Sequence, residues 1–171
     1  GRPGHYFERQ IARWSKQYRD SQTGTIDAME TLLADLPAAC PADDGQACLV
    51  HGDYRMDNLI WTPDNMRVAA TVDWELSTLG HPAADLGYLC MALRLPRNPV
   101  LPGLGGLDRA GLGLPEEAQL LDHYWTLRPD TSLPDWPFVL AFSFFRLAAI
   151  AQGVARRAEQ GNASSDRARQ A

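Results

Sequence analysis

Three short apolar runs, Ala47–Val50, Leu59–Trp61 and Val68–Val72, each meet a polar residue at one end, and this arrangement constrains the chain more than any other feature. Each run is too short for a helix and has the composition of a strand. Thr62-Pro63-Asp64-Asn65 separates the second run from the third and is a turn sequence, so the spacing predicts a hairpin. Its first strand begins after Asn58 and its second ends before Asp73. A hairpin brings its open ends together, so Asn58 and Asp73 are expected at one end of a small sheet. The first run leads into His51-Gly52-Asp53, and polar residues therefore bracket the sheet.

The surrounding sequence reads as helices. Phe7, Ile11, Trp14 and Tyr18 recur at three- and four-residue steps, the stripe of an amphipathic helix over 6–18. Thr25 is placed to cap a second helix that buries Met29, Leu32, Leu33 and Leu36 and ends at Pro37. Pro82 suits the first turn of a third helix, continuing to Leu95 and stopped by Pro96. Residues 96–115, rich in proline and glycine, read as a long loop that is mobile or lies over a substrate. Two more helices are expected over about 115–127 and 135–160, the second apolar on several sides and hence buried. Residues 161–171 are small and polar and read as a frayed tail.

A chain of 171 residues, 45% hydrophobic and 22% charged, suits one domain around one core. Its net charge of -5 offers no general attraction to nucleic acid or anionic lipid, so neither is expected as a partner. Cys40, Cys48 and Cys90 are odd in number and lack C-x-x-C spacing or a nearby histidine ligand, so reduced, structural thiols are expected. No apolar run approaches the roughly 18 residues of a membrane span, and residues 1–5 do not form a signal peptide. The expectation is a cytoplasmic protein without a membrane contact.

The stretch His51-Gly52-Asp53-Tyr54-Arg55-Met56-Asp57-Asn58, followed fifteen residues later by Asp73 in Val72-Asp73-Trp74-Glu75, carries the chemistry. A chance match to His, Gly, Asp and Asn at these offsets is on the order of one in a thousand. The spacing resembles the catalytic loop of protein kinases and the metal-binding aspartate that follows it. With glycine after the histidine it is similar to aminoglycoside phosphotransferases, choline kinases and their relatives. The resemblance implies ATP-dependent phosphoryl transfer to a small-molecule hydroxyl, with Asp53 as base and Asn58 and Asp73 as ligands of magnesium. These residue types fit that chemistry. A carboxylate can take a hydroxyl proton, amide and carboxylate oxygens are hard ligands, and phosphoryl transfer depends mainly on positioning and charge neutralisation.

His51 is expected to support the loop by packing and hydrogen bonds. Two readings of Asp85 stand: an acid favoured at a helix start, or, as the resemblance implies, a brace that accepts backbone hydrogen bonds from the catalytic loop. Glu75 is read as a further metal or substrate contact or as a solvated acid, and Arg55 and Asp57 as possible contacts to phosphate or acceptor. His81 is counted with these residues around the acceptor. Arg146, in an apolar helix, is read as a paired structural arginine.

The resemblance extends over Asp73–Gly87, Trp136–Ile150, Gln152-Gly153 and Gly161-Asn162-Ala163, which look like the branch associated with acyl-CoA dehydrogenases. That branch implies a hydroxyacyl-CoA or hydroxy acid as acceptor. Such proteins carry an N-terminal lobe with a nucleotide-holding lysine. Here the only lysine is Lys16, in a helical stretch, and the glycines at 103–113 do not fit a phosphate-binding loop. Residues 1–171 are therefore read as one C-terminal, protein-kinase-like lobe. Its fold is α+β and mostly helical, with a small catalytic hairpin. The missing lobe would leave an apolar face open to self-association.

Overall fold

The first apolar stripe forms helix α1, Tyr6–Ser21, in the computed structural model, which describes residues 3–64, 67–98, 101–132 and 134–160. Phe7, Ile11, Trp14 and Tyr18 are all buried, as their spacing requires. Helix α2, Asp27–Ala39, starts later than the Thr25 cap predicted: Ile26 is extended, and its carbonyl takes the first helical bonds from Met29 and Glu30. Pro37 lies inside α2 rather than ending it. Proline removes one backbone bond but has a helical φ, which the last turn tolerates.

Strand β1, Cys48–Val50, is followed by a tight turn at Met56–Asn58 and by the hairpin strands β2, Leu59–Trp61, and β3, Val68–Thr71. The hairpin is antiparallel, pairs Leu59 with Thr71, and shifts register between Ile60 and Trp61. A second antiparallel pair was not foreseen: β4, Thr78–Gly80, runs beside β1 with Leu49 opposite Leu79. Both leucines are exposed, as are Ile60, Trp61 and Val68 on the hairpin.

Helix α3, Ala83–Met91, is shorter than expected and gives way to tight turns through Leu95. The long loop then folds back on the end of α3: Leu104 N donates to Ala92 O at 2.8 Å and Gly105 N to Leu95 O at 2.8 Å. Gly103 and Gly105 lie so near the Leu95 carbonyl that a Cβ at either would overlap it. Helix α4, Glu117–Leu127, and helix α5, Trp136–Glu159, complete the fold. The tail at 161–171 lies outside the described residues.

Helix α5 is the central support. It packs on α1, α2 and α3, and its Phe138, Phe142 and Phe145 join Phe7, Trp14 and Tyr18 in the main core. A smaller cluster gathers Leu86 and Cys90 of α3, Leu140 of α5 and the inner side of α4. By length and composition α5 could cross a membrane, although Ser143 and Arg146 interrupt its apolar run. Half of its most apolar stretch is buried inside this fold.

Glu117 ties the starts of α4 and α5 to the turn that follows α3. It accepts from Arg94 Nε at 2.9 Å and Nη2 at 2.7 Å, and from Trp136 Nε1 at 2.9 Å. Arg94, then Trp136, hold its carboxyl below the usual range. A folded-state pKa below the unfolded one means that this contribution is complete above about pH 4.5 and is lost as the pH falls further. Glu117→Gln should cost about 1 kcal/mol at pH 7, and its deficit should shrink in acid. Urea unfolding at pH 7 and pH 3 measures this, and an equal deficit at both would count against the tie.

Candidate active site

Backbone donors beyond the end of β1 need partners that no strand supplies. Asp85, in the first turn of α3, provides them: His51 N donates to its Oδ2 at 2.7 Å and Gly52 N to its Oδ1 at 2.9 Å. Of the two readings of this residue, the bracing contact is the one the geometry displays. Gly52 has φ +83°, and a Cβ there would lie 2.6 Å from the Leu76 carbonyl oxygen, so position 52 requires glycine.

His51 is buried and both its ring nitrogens are occupied. Nδ1 accepts from Asp53 N at 3.2 Å, so the ring proton belongs on Nε2, which donates to Val72 O at 2.9 Å. Its ring also lies 4.7 Å from that of Trp74. Val72 N in turn donates to Asn58 O at 2.9 Å, extending the hairpin pairing by one step. The residue before Asp73 is thus bonded to His51 on one side and Asn58 on the other.

Asn58 Nδ2 donates to Asp53 O at 2.8 Å and to Asp53 Oδ2 at 3.0 Å. With its nitrogen committed, the amide oxygen of Asn58 is the atom left to accept or to ligate. Asp73 is exposed and adopts φ 66°, a left-handed conformation that non-glycine residues adopt seldom and aspartate more readily than most. Asp53, Asn58, His51 and Asp85 therefore form one bonded group, and the hairpin brings Asp73 beside it.

Arg55 lies near the same loop, with Nη2 3.1 Å from Asp57 Oδ2 and Nε 3.9 Å from Asp53 Oδ2. Glu75 is exposed in the turn after Asp73. His81 does not belong with these residues: it is buried against Phe7, its Nε2 3.3 Å from Asp44 Oδ2 and its Nδ1 accepting from Ala83 N. Burial opposes ionisation of Asp44, but hydrogen bonds from Ser132, Gln46 and His81 outweigh it and hold the carboxyl well below the usual range.

Tyr88 was not foreseen, and neither was the partner of Arg146, the arginine read as structural and paired. Tyr88 on α3 lies with its ring centre 5.0 Å from the Arg146 guanidinium carbon, and burial, followed by the Asp53 charge, pushes its phenol up to about 12. Arg146 of α5 donates through Nη2 to the Gly52 carbonyl, which pairs it with the loop backbone. The short interval Asp85-Leu86-Gly87-Tyr88 was the available signal, since residues three apart share a helix face. Among the described residues, no three His, Cys, Asp or Glu side chains gather to hold a metal by themselves.

A family model described as a phosphotransferase enzyme family matches residues 1–123. The chain is 45% identical to mouse acyl-CoA dehydrogenase family member 10 over 99% of its length, and 42% identical to rat acyl-CoA dehydrogenase family member 11 over 94%. It spans 16% and 21% of those proteins. A crystal structure from Ralstonia eutropha, of a protein assigned as an aminoglycoside phosphotransferase, superposes with a TM-score of 0.93 at 47% identity. That match covers 99% of this chain and 52% of the other.

Asp85→Ala would leave two backbone donors without their charged acceptor, at a cost of about 2–4 kcal/mol. Denaturant unfolding at neutral pH checks this, and a loss below about 1 kcal/mol would show that the loop does not need its brace.

Proposed function

Because the chain belongs to the phosphotransferase enzyme family, we propose that it is the catalytic lobe of an ATP-dependent small-molecule kinase that phosphorylates a substrate hydroxyl. The observation that carries this reading is the bonded pair of Asp53 and Asn58, with Asp73 delivered beside it by the hairpin. Asp53 orients the acceptor hydroxyl and takes its proton. Its carboxylate is partly exposed, so a substrate can reach it.

The donor set fits magnesium, which commonly takes one or two protein oxygens and completes its shell with water and phosphate. Asn58 Oδ1 and the Asp73 carboxylate are those oxygens in this reading. Magnesium bound there would neutralise charge on the phosphate oxygens. Asn58 does two tasks, since the amide group offering its oxygen also restrains Asp53 through its nitrogen.

The exposed apolar side chains of the two strand pairs, Leu49 and Leu79 on one and Ile60, Trp61 and Val68 on the other, support the further reading that a nucleotide-holding lobe rests against these strands. Self-association of the isolated chain is the competing use of these side chains.

For the acceptor we propose a hydroxyacyl-CoA or hydroxy acid, supported by the similarity to acyl-CoA dehydrogenase family members over nearly the whole chain. An aminoglycoside is the second reading, favoured by the assignment of the crystallised relative. A polycation needs a cluster of acids to receive it, whereas Arg55 sits among the carboxylates of Asp53 and Asp57.

The test is magnesium-ATP consumption by the full-length protein carrying this chain, with hydroxyacyl-CoA, kanamycin or choline as acceptor. Stimulation by hydroxyacyl-CoA alone is expected, and Asp53→Asn should lower that rate about 10²- to 10⁴-fold. Stimulation by kanamycin alone would replace the acceptor, whereas near-normal turnover of Asp53→Asn would remove the proposed base. Asp73→Ala should raise the magnesium concentration needed for half-maximal rate and leave acceptor KM little changed. A magnesium titration superimposing on the parent's would take Asp73 out of the metal site.

A further inference from the structure

Resting on the reading of Asp53 as the base, we propose that Arg146 is a positioning residue for it, locking the peptide unit that joins Gly52 to Asp53. A peptide unit is planar and rigid, so Asp53 can swing only by rotation about the bonds that flank such units. On the near side stands Gly52, which has no Cβ to limit its backbone and adopts φ +83°. The loop must be held from outside at this point. Both polar edges of the unit are held: the Gly52 carbonyl accepts from Arg146 Nη2, and Asp53 N donates to His51 Nδ1 at 3.2 Å. The two units before it are fastened by Asp85, which accepts from the backbone N–H groups of His51 and Gly52. On the far side, Asn58 Nδ2 donates to the Asp53 carbonyl at 2.8 Å.

His51 and Asn58 belong to the loop itself and Asp85 to α3, so Arg146 is the anchor that refers this unit to α5, the helix on which α1, α2 and α3 all pack. The guanidinium is itself oriented from two further helices. Its carbon lies 5.0 Å from the ring centre of Tyr88 on α3 and 5.2 Å from that of Trp14 on α1. Rings and guanidinium attract through the charge and the ring faces, and a planar fork so held presents its N–H groups in fixed directions. Gly87 lets α3 close on α5 for this contact, because a Cβ there would overlap Val139.

Arg146 is 4% exposed, and its Nε has no partner. A buried guanidinium compensated by two rings and one carbonyl is a costly way to fill space, and an apolar side chain would do so without the desolvation. What the arginine adds is the bond to a buried residue of the loop, whose carbonyl needs a donor. That bond goes to the backbone and not to the Asp53 carboxylate. An ion pair with the carboxylate would favour its charged form and weaken it as a base, whereas a hold on the preceding carbonyl aims the side chain and leaves its oxygens to the acceptor.

Arg146→Met in the full-length protein carrying this chain keeps an unbranched side chain and removes the donor. With hydroxyacyl-CoA as acceptor, or kanamycin if it alone stimulates magnesium-ATP consumption, kcat should fall about ten-fold or more while KM for ATP and acceptor stays within about two-fold. The urea midpoint should stay near the parent's, because relief of the buried charge offsets the carbonyl left without its donor. Added to Asp53→Asn, the substitution should cost little further rate, since both act through one carboxylate. Arg146→Lys can still donate to the carbonyl and should recover part of the loss. The inference alone is overturned by a methionine variant whose kcat is within about two-fold of the parent's or whose loss adds in full to that of Asp53→Asn. Unfolding of that variant, or a lysine variant no faster than it, overturns the inference equally. Parent-like turnover by Asp53→Asn would overturn the base assignment and the inference together.

Discussion

The carboxylate of Asp85 is the interaction on which the rest of the site depends. β1 ends at Val50, and the next two backbone donors turn inward with no strand to receive them. An ionised acceptor on a neighbouring helix resolves that deficit with two charge-assisted bonds. The bonds fix the chain direction through His51 and Gly52, which aims Asp53. They also seat the His51 ring, whose bond to Val72 fastens the far side of the hairpin. Reference to a packed helix is thereby passed to three short segments that could not hold their positions alone.

The packing beneath the loop uses close approach more than bulk. Gly52 lets the backbone pass against the Leu76 carbonyl, and Gly87 lets α3 settle on Val139. Both contacts bring polar groups within reach of one another where larger residues would hold them apart. The result places charged and hydrogen-bonding side chains near apolar helices, a costly environment that strengthens each contact made there.

Much of this was legible in the sequence because the signals are local. The hairpin follows from two apolar runs and a turn, and the joining of Asn58 and Asp73 follows from the hairpin. The helices of the main core follow from residue spacing at α1 and from the length of α5. The pairing of β1 with β4 left little trace, since Thr78-Leu79-Gly80 is too short to show alternation and its partner lies far back in the chain. Tyr88 and the partner of Arg146 were hidden for a related reason. Arg146 meets Gly52 across 94 residues, and only the docking of α5 against α3 creates that contact. His81 misled because nearness in sequence to Asp73 and Asp85 suggested a shared site, whereas the turn into α3 directs it towards Asp44.

The hairpin is anchored at its open end, where Val72 bonds both Asn58 and His51. The interval between Asn58 and Asp73 is therefore not a fixed ruler. Residues inserted in pairs at the tip would lengthen both strands and leave the two ends in register, and the irregularity at Ile60 and Trp61 shows that this ladder already absorbs an odd residue. The interval between Asp53 and Asn58 has no such freedom, because the Asn58 amide must reach back to the residue that opens it. Descendants of this chain should therefore vary in length on one side of Asn58 and hold it on the other.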